Sequence, residues 1–224
     1  MHQTTLVTTR VALHSLAEHV LAADLHRRTA KIGLRRTPGG FGQPEVVDDG
    51  VRHRVRIDGT YLVVLDDDAE RWVELTSLAA AAEVAATKLG APTEVFTPTT
   101  PLHPHETLRI DAEAAPVFAD WFAFVDVILE EVRRRHRART PTIVQLWPEH
   151  FDLAFSVSRV NVGGSPGDAE HPEPYLYVGP RAPVEGDRWN EPWGLSIPAS
   201  QIADEDAAVE LIERGLQAAF ASAT

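Results

Sequence analysis

The sequence predicts an α+β fold: largely antiparallel sheet with about four helices, in a single compact domain spanning 1–224. A subdivision near residue 140 would separate a hairpin-and-helix part from a strand-rich part. Three observations lead there. Two runs of period-two alternation, 51–57 and 61–65, are joined by Asp58-Gly59, a tight-turn dipeptide whose turn needs positive φ. Helical periodicity appears in well-separated blocks. The remaining strand-like runs are consecutive and do not alternate strictly with helices, which favours an antiparallel α+β class.

In chain order, Val11, Leu13, Leu16, Val20, Leu21 and Leu25 recur at helical spacing and predict an amphipathic helix over 9–30. Residues 31–34 read as a short strand. Residues 37–42, with three glycines and a proline, read as a loop. The 51–65 hairpin closes on Asp66-Asp67-Asp68, either a solvated turn or three carboxylates for a cation. A third strand over 71–75 precedes a helix that Thr76-Ser77 caps and Gly90 ends. Residues 93–96 read as a strand and 97–106 as a Pro-rich loop. The longest helix runs from 111 or 112 to about 137, with Phe118, Trp121, Phe122, Val125, Ile128, Leu129 and Val132 on one stripe. Strands follow over 142–147 and 151–160, then a Gly/Pro/Asp-rich loop over 161–174. Strands over 175–178 and 195–197 flank an irregular stretch, and a helix over 203–221 starts with Asp204, Glu205 and Asp206 where its dipole favours acids.

The chain has 224 residues, 21 Lys+Arg against 33 Asp+Glu, a formal net charge of -12 and no cysteine. Thiol chemistry and thiolate metal sites are excluded. The acidic balance speaks against general nucleic-acid binding, which needs cations against phosphates. No apolar run approaches the roughly 20 residues of a membrane helix, and the first residues carry no secretory leader pattern. A bacterial cytoplasmic location is the expectation. Arg133-Arg134-Arg135-His136-Arg137-Ala138-Arg139 reads as a solvated helix end, with a nucleic acid or acidic partner as its alternative.

Three of the five tryptophans and two of the three tyrosines fall between Trp147 and Trp193, among many titratable residues. Aromatics mixed with such groups on loops are what a binding cleft contains; a packed sheet edge is the alternative. If a strand begins near His150, alternation places His150 and Asp152 on one face. They would be an acid/base pair, the candidate catalytic residues, or two metal ligands. Trp147, Glu149, Asn161, Asp168, Tyr175, Tyr177 and Trp189 are the candidate ligand-binding residues. His103 and His105, two apart beside Glu106, could join His150 and Asp152 as metal ligands. The three glycines within 161–168 could present N–H groups to an anion, but no phosphate-loop pattern is present. Gly163-Gly164-Ser165-Pro166-Gly167 matches a nucleophile elbow in letters only, because Pro166 lacks the N–H of an oxyanion hole.

The order of segments resembles a bacterial family of unknown function. The shared features are a hairpin, a Ser-initiated helix, a Pro-rich loop, a long aromatic helix and a strand motif Trp-x-x-x-Phe-Asp-Leu-Ala, here Trp147 with Phe151-Asp152-Leu153-Ala154. The match is carried by Trp147 and Asp152, not by His150. Actinobacterial members are similar also over Trp147-Pro148-Glu149-His150-Phe151-Asp152, Ser165-Pro166-Gly167-Asp168 and the stretch 172–180. The resemblance implies a coherent fold and a bacterial origin, and no activity. From the residues, the expected function is small-molecule or metal binding in a cleft of the C-terminal third, with no cofactor assigned and a homo-oligomer open. The alternative is a non-catalytic interaction module or homodimer using the aromatics of 147–193. Nucleic acid and membrane are not expected partners.

Overall fold

The computed structural model describes residues 3–182 and 185–222, apart from the side chain of residue 222. The fold is α+β, with a six-stranded and a five-stranded antiparallel sheet. The chain forms two compact units: Met1–Asp120 with Leu146–Phe151, and Trp121–Gln145 with Asp152–Thr224.

The first unit opens with one long helical stretch: α1 (Gln3–Leu16), a π turn (Ala17–Leu21) and α2 (Ala22–Thr29). Ala22 N–H reaches back five residues to Ala17 O, and Ala30 ends the helix in the left-handed region, φ +58. The helix therefore starts earlier than its apolar periodicity suggests. The expected 31–34 strand is displaced to β1 (Arg35–Thr37), which pairs with β2 (Gly40–Gly42) inside the expected loop. The glycines there mark a close approach instead of a break. A Cβ on Gly42 would lie 2.5 Å from Arg56 Cβ on the neighbouring strand.

That neighbour is β4 (Val51–Asp58), which also pairs with β3 (Val46–Asp48) and with β5 (Tyr61–Asp66); β6 (Ala69–Glu74) is the edge. The hairpin register places Asp58 opposite Tyr61, with Gly59 at φ +56 as the turn dipeptide requires. Alternation sends Val55, Ile57, Leu62 and Val64 into the core, none more than 1% exposed. Helix α3 (Leu78–Val84) is shorter than expected; Ser77 Oγ caps it by accepting from Ala80 N–H at 3.2 Å. The expected strand over 93–96 is a turn, because Pro92 O accepts from the N–H groups of Val95 and Phe96 at 2.9 and 3.3 Å.

Helix α4 (Ala115–Arg135) starts after Asp111, whose carboxylate accepts from Glu113 and Ala114 N–H at 3.0 and 2.9 Å. β7 (Gln145–Trp147), β8 (Asp152–Val157), β9 (Val160–Ser165), β10 (Tyr175–Pro180) and β11 (Leu195–Pro198) form the second sheet in reverse order, and α5 (Glu205–Ser222) closes the chain. β9 occupies what the sequence reads as loop. The β8–β9 turn uses Ser158 and Arg159 at φ +47 and +66, so no Asn-Gly signature announces it. In the second unit Val125, Ile128, Leu129 and Val132 of α4, with Ile212 and Leu216 of α5, are fully buried with Phe155, Val162, Leu176 and Val178. Each such side chain contributes about 1.5–3 kcal/mol of transfer free energy. Small residues set the spacing. A Cβ on Gly164 would lie 2.6 Å from Val125, and one on Gly215 2.9 Å from Val178.

Candidate functional site

The second sheet has a helix-covered face and a polar face. Register puts Ala154, Gly163, Tyr177 and Ser196 in one row across β8 to β11, and Ser165, Tyr175 and Pro198 in the next. Alternation sends Leu153, Phe155, Val162 and Leu176 the other way. Tyr177 lies flat across β9 because position 163 is glycine: a Cβ there would lie 2.5 Å from both Tyr177 Cζ and its hydroxyl. The hydroxyl thereby reaches Asp152, the buried first residue of β8, and donates to its Oδ2 at 2.5 Å.

Rings continue from Tyr177 in both directions. Trp193 meets it edge-on at 6.0 Å and 88°, and Tyr175 lies 6.3 Å away on the other side. His171 follows at 5.1 Å from Tyr175. Tyr175 donates to Asp168 Oδ2 at 2.8 Å, while Asp168 Oδ1 accepts from the N–H groups of Glu170 and His171 at 2.8 and 2.7 Å. Partial burial would push the Asp168 carboxyl up, but the hydrogen bonds of His171 N–H, Tyr175 and Glu170 N–H together hold it low. Burial, then the Asp168 carboxylate, pushes the Tyr175 phenol up, so it stays a donor. The Glu191 carboxylate, 2.8 Å from His171 Nε2, pushes that imidazole up. The result is a row of rings flanked by acids whose acceptor and donor roles are set.

Of the sequence candidates, Asp152, Asn161, Asp168, Tyr175 and Tyr177 all belong to this sheet and its connecting loop. Asn161 is used across the β8–β9 hairpin, where its Oδ1 accepts from Ser156 Oγ at 2.6 Å. Trp189 is half-buried on the preceding turn, its backbone N–H donating to Gly186 O at 3.2 Å. The ring beside Tyr177 is Trp193, which belongs to the aromatic cluster of 147–193 but was not among the named ligand-binding residues. Trp147, Glu149 and His150 belong to the first unit. The left-handed φ of +54 at Phe151 breaks the expected alternation, so the strand begins at Asp152 and His150 is an exposed turn residue. Glu149 Oε2 is buried without a partner among the described residues. His103 and His105 are exposed on their loop, and among the described residues no three His, Asp or Glu are grouped to hold a metal ion. Arg133, Arg134 and Arg135 pair within α4, with Glu130 and Glu131 at 2.7–2.8 Å.

The first unit holds buried titratable groups that periodicity did not point to. Glu18, in the π turn, is fully buried and accepts from Thr99 N–H at 2.7 Å, Thr100 N–H at 2.9 Å and both threonine hydroxyls. His14 Nε2 donates to Pro148 O at 2.8 Å, and its ring stacks on Phe151 at 5.1 Å; burial, above all, pushes that imidazole down. Asp24, fully buried on α2, is bonded by Arg27 at 2.9 Å, Arg28 at 3.0 Å, Gln43 at 2.9 Å and His53 at 3.2 Å. Burial opposes its ionisation, but the bonds from His53, Gln43 and the arginines prevail and hold its pKa down to about 2. Such groups are hidden from a hydropathy pattern because each also takes partners distant in sequence.

Comparison with family models, with curated proteins and with solved structures finds no match.

Proposed function

We propose that this chain is a small-molecule-binding protein whose ligand lies on the polar face of the second sheet, against Tyr175, Tyr177 and Trp193. The observation that supports it is the Tyr177–Asp152 pair at 2.5 Å, made by a glycine that leaves room for the ring. A surface that only closes a core has no need of a strand residue without a side chain so that a phenol can cross it. Aromatic rings supply contact area at low conformational cost, and the phenol–carboxylate pair supplies orientation. Asp152 is the group we assign to acid/base work, with Tyr177 as its proton-bearing partner. With the described helices too short or too polar to cross a membrane, we place the chain in a bacterial cytoplasm, in the family it resembles.

A thermal-shift screen of metabolite-sized aromatic, cationic and sugar compounds, repeated on Tyr177→Phe and Asp152→Asn, tests this. A hit whose shift is retained by wild type and lost by both variants is the expected result. Shifts that are equal in all three proteins, or absent throughout, would overturn it. Trp193 is 39% exposed, which favours a second reading, a contact with another protein chain. Concentration-dependent sedimentation that Trp193→Ala abolishes would support it.

A further inference from the structure

His53, on β4, faces a carboxylate with each ring nitrogen. Nδ1 lies 2.6 Å from Asp66 Oδ1 on β5, and Nε2 lies 3.2 Å from Asp24 Oδ2 on α2. Ionised carboxylates only accept, so both nitrogens donate and the ring is an imidazolium. His19 in the same unit shows the contrast. Its Nδ1 accepts from Ala91 N–H at 3.2 Å and its Nε2 donates to Thr100 O at 3.0 Å, so one ring nitrogen accepts where both of His53's face acceptors.

The two sides of His53 are unequal. Asp24 is fully buried and keeps Arg27, Arg28 and Gln43 whatever His53 does. Asp66 is 40% exposed, and among the described residues its other charged neighbour is Arg71 of β6 at 3.5 Å. The other charge acting on the ring is Arg28 of α2, which opposes the imidazolium and is itself paired with Asp48 of β3; on His53's own strand Arg52 is engaged with Asp67 and Asp68 at the next turn. When the ring loses one proton, one carboxylate must face a lone pair. Asp66 can turn into water and Asp24 cannot, so the proton leaves Nδ1.

We infer that His53 is a pH-sensitive latch in the first unit: protonated, it ties α2 to the end of β5, and on deprotonation it lets Asp66 go while holding Asp24. The hydrogen bond to Asp24, against burial and with Asp66 adding to it, raises the imidazole above its ordinary 6.5. The link is therefore complete below pH 6.5 and is lost as pH rises through that raised value.

The test is a ring-nitrogen NMR titration of the full chain from pH 5 to 9, with Asp66→Asn and His53→Gln. The expected result at pH 6 is two protonated ring nitrogens on His53. Backbone amides of 65–67 should then titrate with His53 at a midpoint above 6.5, and Asp66→Asn should lower that midpoint by about one unit. At high pH the remaining proton should be on Nε2. A single ring proton at pH 6, a midpoint at or below 6.5, or an Asp66→Asn midpoint equal to wild type would overturn the latch. Asp66 is exposed enough that its asparagine variant keeps the fold even if His53→Gln does not.

Discussion

The two units spend their acids differently. Around Asp24 the first unit buries a carboxylate completely and surrounds it with two arginines, a glutamine and an imidazolium. Around Asp152 and Asp168 the second unit gives each carboxylate a phenol and leaves rings half open beside them. A fully matched buried charge joins elements together, because taking away one partner leaves the other unpaired. A phenol–carboxylate pair beside half-exposed rings leaves area and hydrogen-bonding capacity for something else. The first arrangement is architecture, and the second is the one on which the proposed ligand site rests.

The largest expected effect comes from breaking the first arrangement. Asp24→Ala leaves Arg28 and His53 facing each other in the core and should destabilise by about 3–5 kcal/mol in urea denaturation. The same carboxylate contributes to the acid limb. Its pKa is depressed from 3.8 to about 2, so its contribution is complete above pH 3.8 and disappears as pH falls through about 2. Denaturation midpoints should fall across that window in wild type and fall less steeply in Asp24→Asn, where Asp168 still titrates. Next in size is Gly163→Ala. The added Cβ, 2.5 Å from the Tyr177 ring, should cost about 1–3 kcal/mol by overpacking. It should also displace the hydroxyl from Asp152, which a loss of the screened ligand's thermal shift would report. If ligand binding survives Gly163→Ala, the contrast between the units is wrong. The smallest effect belongs to Arg135→Ala, whose exposed pairing with Glu131 should leave the denaturation midpoint unchanged.

Much of the scaffold was legible. The 51–65 hairpin was readable because alternation and a tight-turn dipeptide agreed, and the α4 stripe because Phe118, Phe122, Val125, Ile128, Leu129 and Val132 share one helical face and are buried, with Trp121 of the same stripe half-buried. β1–β2 and β9 were not, since their glycines look like loop formers until the opposing atoms are known. Of the residues named for the candidate site, some share one sheet face. Asp152, Asp168, Tyr175 and Tyr177 came together, whereas His150 did not, because one left-handed residue at Phe151 undoes an alternation argument. Trp193 was counted in the aromatic cluster of 147–193 but not named as a site residue, because an irregular segment gives no alternation to place its ring.

Periodicity, caps and turn chemistry are interactions between near neighbours along the chain. By themselves they determined the α+β class, the long helices and the central hairpin. Only the tertiary structure decided that Glu18, Asp24 and His53 are buried, that Gly163 makes room for Tyr177, and which ring stands beside it. Those outcomes depend on atoms brought from 14 to 82 residues away, and the free energy of an ion or a phenol in a core is set by such partners, not by its neighbours in sequence.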